Sequence, residues 1–109
     1  IKLADLKIQE ADLMLHQKTN ELQIKFENYI TEWRATLDQI EIFGKTVELY
    51  KQMLEAERRL FNIGESSLFV VNSREQAYIN AQIKLTEIVA KNKVSYYAIW
   101  YFTGRLPEM

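Results

Sequence analysis

The sequence predicts an all-α fold, a long antiparallel helical hairpin of coiled-coil type with unequal arms and its turn at Gly64. Three observations lead there. The 109 residues contain only three Gly and one Pro, too few turn formers for a sheet domain of this size, so elements must be few and long. Apolar residues recur at alternating spacings of four and three over most of the first half of the chain. The one strong break, Phe61-Asn62-Ile63-Gly64-Glu65-Ser66-Ser67, is short enough to return the chain on itself.

The first arm is expected over residues 2–62. Its stripe runs Leu22, Phe26, Tyr29, Trp33, Thr36, Ile40, Phe43, Val47, Tyr50, Leu54, Glu57 and Phe61, with only Thr36 and Glu57 interrupting the apolar character. A period of 3.5 residues predicts left-handed supercoiling. Upstream, Ile1, Ala4, Ile8, Ala11 and Leu15 continue the stripe through polar Lys18, in a phase that needs a stutter to join it. A second apolar face carries Ile30, Leu37, Ile42, Leu49, Met53 and Leu60. A helix apolar on two faces has neighbours on two sides, so more helices than this hairpin's two are implied. Gly44, inside the arm, either permits a close approach or bend or is a tolerated exposed glycine.

The turn is expected over residues 63–66. Gly64 suits the left-handed position that ends a helix, and Ser66 or Ser67 can cap the next one. The second arm is expected over residues 67–103, with Leu68, Val71, Tyr78, Leu85, Val89, Tyr96 and Ile99 on one face. Phe69, Ile79, Ile83, Val94, Tyr97 and Tyr101 form another, and Gly104 and Pro107 end the arm. At 1.5 Å per residue the arms are about 90 Å and about 55 Å long, so the first overhangs the second. The spacing of Glu21 with Lys25, Glu55 with Arg59 and Glu87 with Lys91 suits exposed ion pairs on solvated strips. Arg74 and Glu75 read as a first-turn ion pair.

Composition narrows the function. The net charge is −1 with 27% charged residues, so no basic field exists to hold nucleic acid. Cysteine is absent, which removes disulfide and thiolate chemistry. The longest apolar run, Val94 to Phe102, is far short of the roughly 20 residues that span a bilayer. The cluster Tyr96, Tyr97, Trp100, Tyr101 and Phe102 fits protein packing better than a membrane belt, because apolar length does not flank it. His16 stands alone, without the cysteines or carboxylates of a metal site. Glu55 and Glu57 with Arg58 and Arg59 read as a solvated patch rather than an acid–base pair. Phosphate loops, nucleophile elbows and paired Glu-x-x-His motifs are missing. The expectation is a protein that works by helix packing, without catalysis, cofactor or metal. Because the sequence opens at Ile1-Lys2-Leu3 inside a helical pattern, it is expected to be a segment of a larger protein.

The stretch Phe61-Asn62-Ile63-Gly64-Glu65-Ser66-Ser67-Leu68-Phe69-Val70-Val71-Asn72-Ser73-Arg74-Glu75 resembles the TolC-like outer-membrane efflux factors. In that family a long helix ends in an aromatic residue, a Gly-x-x-Ser turn follows, and the next helix opens with an aliphatic run and later carries a Gln. Gln82 and Leu85 fall where such a helix has them, and Tyr101-Phe102-Thr103-Gly104-Arg105-Leu106 looks like the family's terminal Gly-x-Leu segment. The resemblance covers about the whole chain; it is specific at the turn and rests elsewhere on helix lengths.

The resemblance implies a second-repeat periplasmic hairpin spanning residues 1–109. Its parent would be a homotrimeric outer-membrane channel whose helices wall a periplasmic tunnel. A periplasmic adaptor would dock at the hairpin tip and link it to an inner-membrane pump. The family's tip motif falls on Ile63, Gly64 and Glu65, with Ser66 beside it. Family members that close the tunnel mouth with polar links have a Tyr, an Arg and acidic residues at positions that here hold Phe61, Ser66, Val70 and Ser73, so those roles do not carry over. Asn72, Ser73 and Arg74 are the nearest polar candidates for the tunnel mouth. The competing reading is a generic coiled-coil hairpin such as that of the adaptor itself, whose arms are usually of similar length. On either reading the segment alone is expected to self-associate, because two-faced helices leave apolar surface uncovered.

Overall fold

The computed structural model describes residues 2–104, which form two helices joined by a tight turn. Helix α1 spans Lys2–Asn62 and helix α2 spans Leu68–Thr103. The hairpin is 92 Å long and 30 Å across, matching the length expected of the first arm. Ile1, the start of the apolar stripe, and Arg105, Leu106 and Pro107 of the expected stop signal lie outside the described residues.

The turn is built by backbone hydrogen bonds that close the end of α1. The Glu65 N–H donates to the Leu60 carbonyl at 2.8 Å and the Gly64 N–H to the Phe61 carbonyl at 3.0 Å. These two bonds are the Schellman pattern, which satisfies carbonyls that the end of a helix leaves free. It needs a residue at positive φ, and Gly64 supplies it at 79°. Ser67 is the N-cap of α2 and its hydroxyl accepts from the Val70 N–H at 3.3 Å. Of the two serines offered by the sequence the cap is Ser67, and α2 begins at Leu68. Gly104 closes α2 at φ 72°, with its N–H directed at the Trp100 and Tyr101 carbonyls.

The arms meet along one face of each. On α1, Phe26, Tyr29, Trp33, Thr36, Ile40, Phe43, Val47, Tyr50, Leu54 and Glu57 are all buried or half-buried. On α2 the matching stripe runs Val71, Arg74, Tyr78, Ala81, Leu85, Ile88, Asn92, Ser95, Ile99 and Phe102, again at alternating spacings of three and four. The positions of closest burial on α2 include Ala81 and Ser95, whose small side chains let the helices approach. Residues at the two ends of the predicted stripe, Leu22, Phe61 and Leu68, are exposed, because the partner arm stops short of them or the chain is already turning away.

Pairing ends where α2 ends. The Phe102 ring sits 5.7 Å from Tyr29 and 6.4 Å from Phe26, centroid to centroid. Beyond this aromatic cluster, α1 continues from Lys25 back to Lys2 with every residue exposed and no partner among the described residues. At 1.5 Å per residue this overhang is about 36 Å long.

The two polar interruptions of the α1 stripe are matched across the seam. Thr36 is 3% exposed, and its hydroxyl accepts from Asn92 Nδ2 at 3.0 Å while donating to the Glu32 carbonyl at 2.8 Å. The same Asn92 amide reaches the Trp33 carbonyl at 3.2 Å. Nearer the tip, the Glu57 side chain, 13% exposed, accepts from Arg74 Nε at 3.4 Å. Arg58 and Glu75 stand 3.6 Å apart beside it. Glu57 is thus a seam residue rather than part of a solvated patch. Arg74 and Glu75 pair across the hairpin rather than with each other, since adjacent residues on a helix do not face one another. Of the pairs at helical spacing, Glu41 with Lys45 closes to 3.7 Å. Glu21–Lys25, Glu55–Arg59 and Glu87–Lys91 do not meet, as long exposed side chains gain little by doing so.

Candidate functional site

Two kinds of surface stand out on this hairpin: its tip and the apolar flanks that the arms do not cover. At the tip, Ile63, Gly64 and Glu65 are all exposed and Ser66 is half-buried. Ile63 keeps 69% of its surface in solvent, and a Cβ built on Gly64 would meet nothing within 4 Å. The turn therefore offers bare backbone beside an apolar side chain. Phe69, 79% exposed, and Leu68 lie immediately past the turn and widen this apolar tip. Sequence reasoning assigned Phe69 to a face of α2 without assigning it to the tip; its place just past a tight turn was the available signal.

Asn72 and Ser73 are exposed one turn into α2. Arg74 differs from them, because its side chain lies across the seam on Glu57. These three polar residues just past the turn are therefore two exposed side chains and one engaged by the opposite arm.

The second faces expected from the sequence are apolar and only partly covered in the hairpin. On α1, Ile42, Leu49 and Leu60 are exposed while Ile30 and Met53 are half-buried. On α2, Ile83, Val94, Tyr97 and Tyr101 are exposed, the last by 73%. The overhang adds Leu3, Leu6, Leu13, Leu15 and Leu22. Isolated apolar side chains on a surface are ordinary, but rows of them along a helix mark contact surfaces. Gly44 lies inside α1, and its missing Cβ would meet nothing within 4 Å, so neither a close approach to α2 nor a clash explains it.

Among the described residues no group of three or more His, Cys, Asp or Glu is placed to hold a metal ion. No described helix is long and apolar enough to cross a membrane. Comparison of the chain with protein-family models, with curated proteins and with solved structures found no match.

Proposed function

We propose that this hairpin is a wall segment of a TolC-like trimeric outer-membrane efflux or secretion channel, contributing to its periplasmic α-helical tunnel and docking a periplasmic adaptor at its tip. The observation that carries the reading is the rows of uncovered apolar side chains on both helices, Ile42 and Leu49 on α1 and Ile83, Val94 and Tyr97 on α2. A free-standing hairpin gains nothing from them, whereas a tunnel wall needs each hairpin to pack on neighbours at both sides. The resemblance at Phe61 to Glu75 supplies the identity of that wall.

In this reading transport is passive at the level of the hairpin. The helices line and seal a conduit, and energy enters at an inner-membrane pump reached through the adaptor. Docking uses Ile63, Gly64, Glu65 and Ser66, where backbone without a Cβ allows a partner helix to come close. Asn72 and Ser73 are the free polar groups nearest the mouth, and Arg74 is held by Glu57. The unequal arms, Lys2–Asn62 against Leu68–Thr103, favour this reading over an adaptor hairpin, whose arms are usually of similar length.

The test places single cysteines at Glu65 and Ser66 of the parent protein and reads cross-linking to the adaptor in cell envelopes, with exposed Gln52 as control. Cross-links at the tip and none at Gln52 are expected. Their absence, with the parent still in the outer membrane, would remove the docking role and leave the hairpin as tunnel wall alone.

A further inference from the structure

Helix α1 carries two apolar stripes, yet the α2 seam centres on one of them and leaves Ile42, Leu49 and Leu60 of the other exposed, with Thr46, Met53 and Ala56 half-buried at its margin. The occupied stripe runs through Phe43, Val47, Tyr50, Leu54 and Glu57. The other runs Ile42, Thr46, Leu49, Met53, Ala56 and Leu60, with the same alternation of four and three. At about 100° per residue it is displaced by about 100° around the helix from the first, since each of its residues precedes one of the first stripe. Apolar burial is non-directional, so on its own it does not tell these stripes apart.

The polar residues do. The buried stripe of α2 contains Arg74 and Asn92, and each finds a partner on the occupied stripe of α1. Glu57 receives Arg74, and beside it the order of charges reverses, so that Arg58 meets Glu75. On the other stripe the residues at the height of Arg74 are Met53, Ala56 and Leu60, none of which offers a guanidinium more than the weak thioether acceptor of Met53. At the height of Asn92, which bonds to Trp33 and Thr36, that stripe carries Ala35 between Glu32 and Gln39, both able to accept from an amide, so the second polar level does not discriminate.

We infer that Glu57 decides on which of the two apolar stripes of α1 the α2 seam centres, leaving Ile42, Leu49 and Leu60 of the other exposed. Polar residues in an otherwise apolar seam act this way in coiled coils: they add little stability but exclude alternative partners and registers. This inference is independent of what covers the free stripe and does not need the channel reading.

The test uses the 109-residue chain with two cysteine pairs. Phe26→Cys with Phe102→Cys reports the observed pairing, where the two rings are 6.4 Å apart. Leu49→Cys with Ala81→Cys reports the alternative, because Leu49 is on the free stripe at the height of Ala81, which lies on the buried stripe of α2. Intramolecular cross-links are read by mass spectrometry in the monomer band of dilute protein. With Glu57 and Arg74 intact, only the first pair should link. Glu57→Arg, which sets like charges against each other, should raise the second pair relative to the first by about tenfold, the size expected when contacting residues are coupled. Adding Arg74→Glu should restore the original pattern. An unchanged ratio in Glu57→Arg with helicity retained, or no restoration in the swap, overturns the inference. Should Glu57→Arg unfold the chain, Glu57→Leu with Arg74→Leu replaces it. Both cross-links are then expected, and exclusive linking of the first pair would overturn the inference.

Discussion

The paired part of the hairpin and its overhang are the same helix in two situations. From Phe26 to Glu57, α1 has α2 along one side and buries an unbroken stripe; from Lys2 to Lys25 no described residue packs beside it and every residue is exposed. The apolar content does not fall to match, since Leu3, Leu6, Ile8, Leu13, Met14 and Leu15 all lie on the overhang. Helix formation in water draws most of its stability from packing an apolar face, and isolated helices shorter than about 15 residues are marginal. The paired half is thus stabilised by packing within the chain, while among the described residues nothing covers the apolar side chains of the overhang.

That comparison predicts a graded set of effects. Largest is the loss of a buried seam side chain: Leu54, 3% exposed, should cost about 2–5 kcal/mol as Leu54→Ala, read from urea unfolding. The corresponding change on the overhang, Leu13→Ala, should stay within about 0.5 kcal/mol in this chain. A comparable loss at both sites would mean that the overhang is packed. Arg74→Ala should come next, at about 1–2 kcal/mol, because it leaves Glu57 half-buried without its donor, and partial solvent access at Arg74 keeps the figure modest.

Gly64→Ala should cost about 1 kcal/mol through its left-handed backbone alone, as no Cβ contact opposes it. Gly44→Ala should do the reverse and stabilise the chain by up to about 1 kcal/mol, since it sits in helical backbone with open space around it. A destabilised Gly44→Ala variant would reveal a neighbour at that position. Smallest is Lys45→Ala, which removes the exposed pair with Glu41 and should change the melting free energy by about 0.3–0.5 kcal/mol.

Much of α1 was legible in the sequence because its seam is marked by large residues. Phe26, Tyr29, Trp33, Phe43 and Tyr50 announce the spacing, and the turn announces itself through Gly64 and the serines. The α2 seam was harder to read. Val71, Tyr78, Leu85 and Ile99 were identifiable, but Ala81 and Ser95 are small, and Arg74 and Asn92 are polar, so the buried stripe does not look apolar end to end. Ile88, 4% exposed, was missed because the phase of the stripe is set by those inconspicuous neighbours. Thr36 and Glu57 likewise read as interruptions from one helix alone. They become seam residues only when the opposite arm brings Asn92 and Arg74 to them. The candidate site was legible at the tip, where a local turn motif fixes the exposure of Ile63 and Gly64. Arg74 was not legible as engaged, since its partner lies in the other arm. For the uncovered flanks the sequence shows that neighbours are needed and carries no pattern that names them.

Those flanks and the overhang are the contact surfaces on which the proposed role of the hairpin depends. Sedimentation velocity on the 109-residue chain over a range of concentrations tests this most directly. The account predicts self-association that rises with concentration, as copies cover one another's apolar rows. A monodisperse, stable, fully helical monomer at all concentrations would contradict it.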